Sequence, residues 1–370
     1  MKHYDIVVVG GGVVGLASAY GLAQRHSSIA VLDEADAAFR ASRSNFGLVW
    51  FQGKGLGNQA YVRLLALSMR EWMEFAAELR EGSGIDPDYR RPGGLNLCVG
   101  EAAAQKRRAH IEALHEQQGN EGYRCEFLSR AELERLFHPL RLSDDVRTAS
   151  YCSADGHVNP LYLVLAMQKR ILQMGGHFHA GHTVRDIVPV TGGGFELRTA
   201  RGPIGCERLL LAAGLGVSEL AEKVGMNVPL WPERGQIIVT QRTQRLFPLP
   251  MNGFRQTEEG SVLLGYSKED VGLNDSTSTA VTAQIANNAL KAFPQLAALR
   301  VVRTWAGLRT QSPDSYPIYA SSSECPGAYA VTCHSGITLT AAHARVIPQW
   351  ILEGGTPECL RDFGPERFSV

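Results

Sequence analysis

The feature that most constrains this chain lies at its start. An apolar strand, a glycine-rich loop, a helix and a second apolar strand follow one another within about thirty residues. Tyr4 to Val9 is apolar except for Asp5 and rich in β-branched residues, the pattern of a parallel strand buried on both faces. A helix is expected from Val13 to Arg25 and a second parallel strand from Ser28 to Leu32. Gly10, Gly12 and Gly15 spell G-x-G-x-x-G where the first strand meets the helix, which Val13 and Val14 open. In such a loop one glycine makes the tight turn, one lets the backbone approach a pyrophosphate, and one lets helix and strand pack closely. The helix N-terminus adds positive potential. Asp33 ends the second strand, where a carboxylate accepts hydrogen bonds from ribose hydroxyls. Glu34 is the competing ribose partner, and register favours Asp33. The motif implies a dinucleotide but does not separate NAD from FAD.

The same glycines argue against reading Ile6 to Ala23 as a signal or membrane segment, and no small-residue cleavage pattern follows them. No other long apolar span and no internal repeat is present, so no transmembrane segment is expected. At 370 residues the chain is longer than one hydrophobic core usually serves, which predicts two domains. Lys plus Arg equals Asp plus Glu at 37 each, which removes the basic excess that attracts nucleic acid or an anionic membrane. Seven scattered cysteines without a C-x-x-C pair suggest neither a disulfide framework nor a metal site, and fit a reducing cytoplasm.

Further along, Leu65, Trp72, Phe75, Ala76 and Leu79 recur at helical spacing, and strands are expected around Arg91 to Val99. Ser129 and Glu132 form a capping box, and Asn159 with Pro160 opens another helix. Thr183 to Val190 and Phe195 to Thr199 read as a hairpin, and Arg208 to Ala213 as a strand. Strands are expected at Gln236 to Thr240, Ser261 to Tyr266, Val301 to Ala306 and Ala328 to Cys333, with helices at Thr279 to Ala292 and Thr338 to Leu352. This mixture predicts an α/β fold of mixed α+β character, a Rossmann-like cofactor domain interleaved with an antiparallel-sheet substrate domain. The expected boundaries are 1–82, 150–226 and 300–370 for the first, and 83–149 and 227–299 for the second.

The segments ASRSNFG at Ala41 to Gly47, DGHVNP at Asp155 to Pro160, RGQ at Arg234 to Gln236 and GLRTQSPDSYPI at Gly307 to Ile318 resemble, in that order, the D-amino-acid oxidase superfamily of flavoproteins. Glycine oxidase, sarcosine oxidase and D-amino-acid dehydrogenases belong to that superfamily. The stretch Arg255 to Gly272 looks most like the flavin subunits of D-hydroxyproline and opine dehydrogenases. The resemblance implies FAD. It places Ser42, Arg43, Ser44 and Asn45 along the pyrophosphate and flavin, Val184 at the adenine through its backbone, and Ala213 and Gly214 close to the nucleotide. It also brings Gly307 and Arg309 to the cofactor, and makes Gly336, Ile337 and Thr338 the loop before a final helix facing the flavin's pyrimidine end. A helix N-terminus there stabilises the negative charge of reduced flavin. Cys333, His334 and Ser335 depart from the glycine-histidine-glycine loop of many members, and no cysteine stands at the covalent attachment position of sarcosine oxidases, so non-covalent FAD is implied.

By the same resemblance Arg309 is the bidentate clamp for a substrate carboxylate, a task that suits guanidinium geometry. Arg255 is a second candidate for acid recognition, a solvated strand residue being the other reading; Tyr316 and His334 are candidates to flank the flavin. The implied reaction is hydride transfer from the α-carbon of a small amino or imino acid to flavin N5, giving an imine. Two alternatives stay open: oxidation of a 2-hydroxy acid, and a flavin subunit passing electrons to a partner subunit rather than to oxygen. A cytoplasmic location is expected, peripheral to a membrane only through such a partner.

Overall fold

The apolar run at the N-terminus forms the strand Lys2–Val9 (β1), and its neighbours on both sides explain its composition. The computed structural model describes residues 1–26, 28–34, 40–119 and 122–368. In it β1 pairs in parallel with Ile29–Asp33 (β2) on one side and Gly202–Leu211 (β11) on the other. The sheet continues through His177–Ala180 (β8) beyond β2, and through Ala328–Thr332 (β17) and Ile318–Ser321 (β16) beyond β11. The hairpin Val184–Pro189 (β9) and Phe195–Thr199 (β10) pairs with β11.

Each face of this sheet has its own core. One is covered by the helices Val13–Ala23 (α1), Gln59–Ser83 (α2), Pro160–Gln173 (α5) and Gly336–Glu353 (α8), which bury Leu16, Tyr20, Trp72, Phe75, Met167 and Ile347. The other is covered by the hairpin and by Val217–Glu222 (α6), with Val7, Leu209, Leu211, Phe195 and Val217 inside.

A second, antiparallel sheet has the order Phe254–Gln256 (β13), Ser261–Gly265 (β14), Trp231–Arg242 (β12) and Val301–Gln311 (β15). Gly94–Val99 (β4), Val146–Cys152 (β6) and Glu126–Leu128 (β5) pair beside it, and a bridge from Leu95 to Met251 links the two sets. They share a core with Arg130–Phe137 (α4) and Thr279–Ala292 (α7), built around Phe137, Phe247, Phe254 and Phe293. A short antiparallel pair joins Leu48–Val49 (β3) to Gly156–His157 (β7).

Local chemistry fixes several of these elements as read from sequence. The Ser129 hydroxyl accepts the Glu132 N–H, and the Glu132 carboxylate accepts the Ser129 N–H at 2.7 Å. The Asn159 side chain caps α5, with Pro160 as its first residue. Three differences stand out. The helix Glu101–Gln118 (α3) has no counterpart in the sequence reading, because only Ala104, Ile111, Leu114 and Gln118 are buried and the rest of its surface is charged or polar residues interspersed with alanines. The final helix begins at Gly336, so Gly336, Ile337 and Thr338 form its first turn rather than a preceding loop. The strand expected to end at Ala306 runs to Gln311, because β12 pairs with it from Thr240 back to Trp231. That pairing places 301–311 in the second sheet, although the sequence reading had put 300–370 with the cofactor domain. Among the described residues no helix is long and apolar enough to cross a membrane.

The approach of α1 to α8 is the tightest of the helix crossings that glycine permits. A Cβ on Gly21 would stand 1.9 Å from the Ala344 carbonyl oxygen and 2.6 Å from the Pro348 ring. Gly21→Ala is expected to lower unfolding free energy by about 1–3 kcal/mol, the usual cost of overpacking; urea denaturation of the purified protein measures it, and an unchanged midpoint would contradict this account of the crossing.

Candidate active site

The glycine loop is shaped by contacts that leave no room for side chains. Gly10 has φ +115, and a Cβ there would lie 2.4 Å from the Ala212 carbonyl oxygen and 2.9 Å from the Ala213 Cα. A Cβ on Gly15 would sit 2.0 Å from the Gly10 carbonyl oxygen, so this glycine is what lets α1 start against the strand. Gly12 caps α1 with no side-chain hydrogen bond, and a Cβ would point 3.0 Å from the Ser42 hydroxyl. That hydroxyl accepts the Val13 N–H at 2.9 Å. Asp33 accepts the Gly11 N–H at 2.7 Å, which ties the end of β2 to the loop. Glu34 is exposed and pairs with Arg40 at 2.9 Å. Asp33 is thus tied to the loop, whereas Glu34 is held by Arg40.

Other expected cofactor residues gather around this loop. Ala213 and Gly214 follow the end of β11, and Ala213 packs on Gly10. Val184 opens β9 two residues after His182, whose N–H bonds the Asp33 carbonyl at 3.0 Å, so it lies on the Asp33 side. Gly336 meets Val13 and Val14, since its Cβ would stand 3.3 Å and 3.2 Å from their methyl groups. The N-termini of α1 and α8 therefore converge. The segment 42–47 is clamped to the second sheet: Trp305 donates to the Ser44 carbonyl at 3.1 Å, and Arg255 donates to the Phe46 carbonyl at 3.2 Å. Asn45 accepts the Gly47 N–H, and Arg43 is half-buried in the same segment.

The first turn of α8 holds a group that the sequence reading missed. Lys54 donates to the Ser335 hydroxyl at 3.0 Å and the Thr338 hydroxyl at 3.3 Å, and Tyr61 donates to the same Ser335 hydroxyl at 2.9 Å. Burial pulls the Lys54 ammonium down to about 8, against the opposing pull of Asp155. Its signal was a lone cation between Gly53 and Gly55, just after a buried apolar segment. Asp155 is fully buried, and its carboxylate accepts N–H groups from Phe51 at 2.5 Å, Gln52 at 3.2 Å and the Gln52 side chain at 2.7 Å. The DGHVNP run therefore anchors the Lys54 loop. Thr338 is buried and takes the Ser68 hydroxyl and Trp72 indole N–H on its carbonyl, which fixes this turn against α2.

Arg309 lies inside β15, directly across from Glu233 on β12. Its Nη1 donates to Glu233 at 2.9 Å and to the Arg234 carbonyl at 3.3 Å, and its Nη2 donates to the Ser267 carbonyl at 3.0 Å. The guanidinium lies 5.5 Å from the Tyr266 ring centre. A Cβ on Gly235 would strike it at 2.2 Å, so glycine in the RGQ segment makes its space. Gly307 pairs with Gly235 on the same strands. His334 feels Arg309, Lys54 and Lys268, and burial with these charges pulls its imidazole down to about 3, leaving it neutral. Tyr316 contacts the Tyr61 ring edge at 5.0 Å and donates to the Leu56 carbonyl, so it belongs to the Lys54 side.

Arg255 does not join Arg309. Its register partners run Leu263, Val239 and Arg303, so it sits on the far strand, level with a point six residues, about 20 Å, along β15 from Arg309. It is also buried, at 2 % exposure, where the alternative reading had a solvated strand residue.

A glycine loop without side chains, an acidic residue at the end of the second strand and two converging helix N-termini define a dinucleotide-binding oxidoreductase architecture, and the cradle fits the pyrophosphate of FAD. The chain belongs to the DAO family of FAD dependent oxidoreductases, which matches residues 5–350, and its cofactor is FAD. It is 38% identical to one of the opine oxidase subunits of Agrobacterium tumefaciens, covering 100% of this chain and 98% of that protein. It is 28% identical to the hydrogen cyanide synthase subunit HcnC of Pseudomonas aeruginosa, covering 99% and 97%. Its fold matches the crystal structure of glycine oxidase from Geobacillus kaustophilus with a TM-score of 0.90 at 23% identity, over 98% of each chain.

Two measurements probe this arrangement. Replacing Asp33 by Ala is expected to weaken FAD binding at least about tenfold, through the lost charge-assisted bond to the loop; quenching of flavin fluorescence on reconstituting apoprotein reads it. Burial raises the Asp155 carboxyl to about 6, so the folded chain holds a proton that the unfolded chain has lost. This group's contribution to stability is present at low pH and falls as pH rises from 3.8 to about 6. Asp155→Asn removes that fall, and parallel pH profiles of unfolding free energy for both proteins would contradict the assignment.

Proposed function

We propose that this chain is the FAD-bearing subunit of an enzyme that oxidises the C–N bond of a small amino or imino acid, with opines as the leading substrate class. The observation that carries this reading is the Arg309 guanidinium, fixed in the sheet by Glu233 and two carbonyls and flanked by Tyr266 and His334. A fixed guanidinium beside an aromatic ring suits an α-carboxylate. The full-length identity to a protein named as one subunit of an opine oxidase supports the substrate class and the idea of a partner subunit that accepts electrons.

Within this reading the parallel sheet with segments 1–82 and 150–226 and the chain from Ile318 onward carries FAD, and the second sheet, including β15, carries the substrate groups. Gly10, Gly12, Gly15, Val13, Val14, Asp33, Ser42, Arg43, Ser44 and Asn45 form the FAD cradle. Val184, Ala213, Gly214, Gly307 and the first turn of α8 complete it. Bound FAD supplies the two-electron acceptor at its N5. Arg309 holds the substrate carboxylate and so points the α-hydrogen at the flavin. His334, being neutral, offers a hydrogen bond without adding positive charge. Lys54 and the N-terminus of α8 both favour negative charge near Ser335 and Thr338, where the pyrimidine end of the flavin belongs. A cytoplasmic enzyme acting on a soluble acid fits the balanced charge.

Anaerobic mixing with opines, D-amino acids, cyclic imino acids, glycine and sarcosine is expected to bleach the flavin absorbance, and opines to do so fastest. Bleaching by 2-hydroxy acids with none by amines would replace this reading with hydroxy-acid oxidation. Arg309→Met is expected to lower kcat/KM about a hundredfold or more, mainly by raising KM. Acid precipitation is expected to leave the flavin in the supernatant, as non-covalent FAD requires.

A further inference from the structure

Arg255 is a buried cation without a counter-ion. Its Nε donates to the His157 Nδ1 at 3.3 Å and its Nη1 to the Phe46 carbonyl at 3.2 Å, while its Nη2 is shielded from solvent and bonds to nothing. Among the described residues no carboxylate lies within ion-pairing distance of it; Asp88, Glu258 and Glu259 act only from further away. A guanidinium nine-tenths or more buried carries a large desolvation cost unless its donors are met. The unmet donor belongs to a side chain lining a cavity of about 270 Å³, together with Arg90, His157, Arg245, Gln256 and Glu258.

The lining sets three guanidinium groups against the one carboxylate of Glu258, which already pairs with Arg245 at 2.8 Å. Arg90 is held at the other side by Asp86 at 3.4 Å and Asp88 at 3.2 Å. The positive potential is felt by His157, whose imidazole burial and the guanidiniums of Arg255, Arg245 and Arg90 pull down to about 3. His157 therefore offers an acceptor to Arg255 and supplies no counter-charge. The backbone of Arg90 and His157 pair through two 2.9 Å hydrogen bonds, so the site has a fixed floor.

We infer that this cavity is a second ligand site, separate from the Arg309 site, that takes the phosphate group of free phosphate or of a small phosphate monoester. A phosphate carries about −1.5 to −2 charge near neutral pH, and it presents several acceptor oxygens to the unpaired guanidinium of Arg255 and to the donors of Arg90 and Arg245, which lie on different strands and loops. A monocarboxylate presents only two acceptor oxygens to those donors. Arg255 would meet it through Nη2, with Arg245 and Arg90 at the rim. Because Arg255 also holds the Phe46 carbonyl, the bound anion and the segment 42–47 share one guanidinium.

The test uses the full-length FAD-loaded protein in calorimetric titrations at fixed ionic strength with inorganic phosphate, phenyl phosphate and acetate. Phosphate is expected to bind saturably, at one site per chain and at least about tenfold tighter than acetate. Equal binding of phenyl phosphate assigns the site to the phosphate end of a larger molecule, and its exclusion assigns it to free phosphate. Arg255→Met is expected to abolish saturable binding. Where that variant does not fold, Arg245→Gln on the half-exposed rim serves instead, with an expected loss of about five- to tenfold. Acetate binding as tightly as phosphate, heats without saturation, or phosphate affinity unchanged in the folded variants would each overturn the proposal. Arg309→Met is expected to leave phosphate binding unchanged, so this test and that of the amine-oxidising site fail separately.

Discussion

The rest of the structure depends on the close approach of α1 and α8. Gly21 against Ala344, and Gly336 against Val13 and Val14, bring the two helices into backbone contact with their N-termini at one place. Each N-terminus carries about half a positive charge. Neither start is closed by the side chain of its own N-cap residue, and at α1 the Ser42 hydroxyl takes only the Val13 N–H. Two helix ends that leave most of their first N–H groups without side-chain acceptors face the same region. On the proposed function they are where diphosphate and reduced flavin would place their negative charge.

The cofactor half was legible because its constraints are local. A turn needing φ above zero, a backbone that must pass at contact distance and a strand buried on both faces each leave a residue-level mark: Gly10, Gly15 and the run from Ile6 to Val9. Helices α4 and α5 were readable for the same reason, through their caps. What the sequence hid depends on partners distant in the chain. The polar end of β15 is a strand only because β12 pairs with it, and α3 is held by a thin apolar edge in an otherwise charged helix. Lys54 acquires its place from Ser335 and Thr338, some 280 positions away.

The two arginines singled out from the sequence show what residue type alone leaves open. Both Arg309 and Arg255 stand on the second sheet, and residue type makes both candidates for acid recognition. The register separates them by the width and much of the length of that sheet, and their surroundings differ in kind. Arg309 is partly exposed and has a carboxylate across the strand pair, whereas Arg255 is buried and, among the described residues, hydrogen-bonds a neutral imidazole and a carbonyl but no carboxylate. Charge pairing, read from three dimensions, distinguishes an arginine with a carboxylate partner from one without such a partner among the described residues.

On the proposed function, the Arg309–Glu233 pair also bears on how an acid would enter. Glu233 is tethered at 2.9 Å on the facing strand, so the arginine is already neutralised when a ligand arrives. Entry is then an exchange, in which the incoming carboxylate displaces or crowds an intramolecular rival present at high effective concentration. Such a site gives little long-range attraction to anions at large. It rewards a ligand whose remaining groups add enough contact to win the exchange, so selectivity is exerted by an internal competitor before any bond to hydrogen is broken.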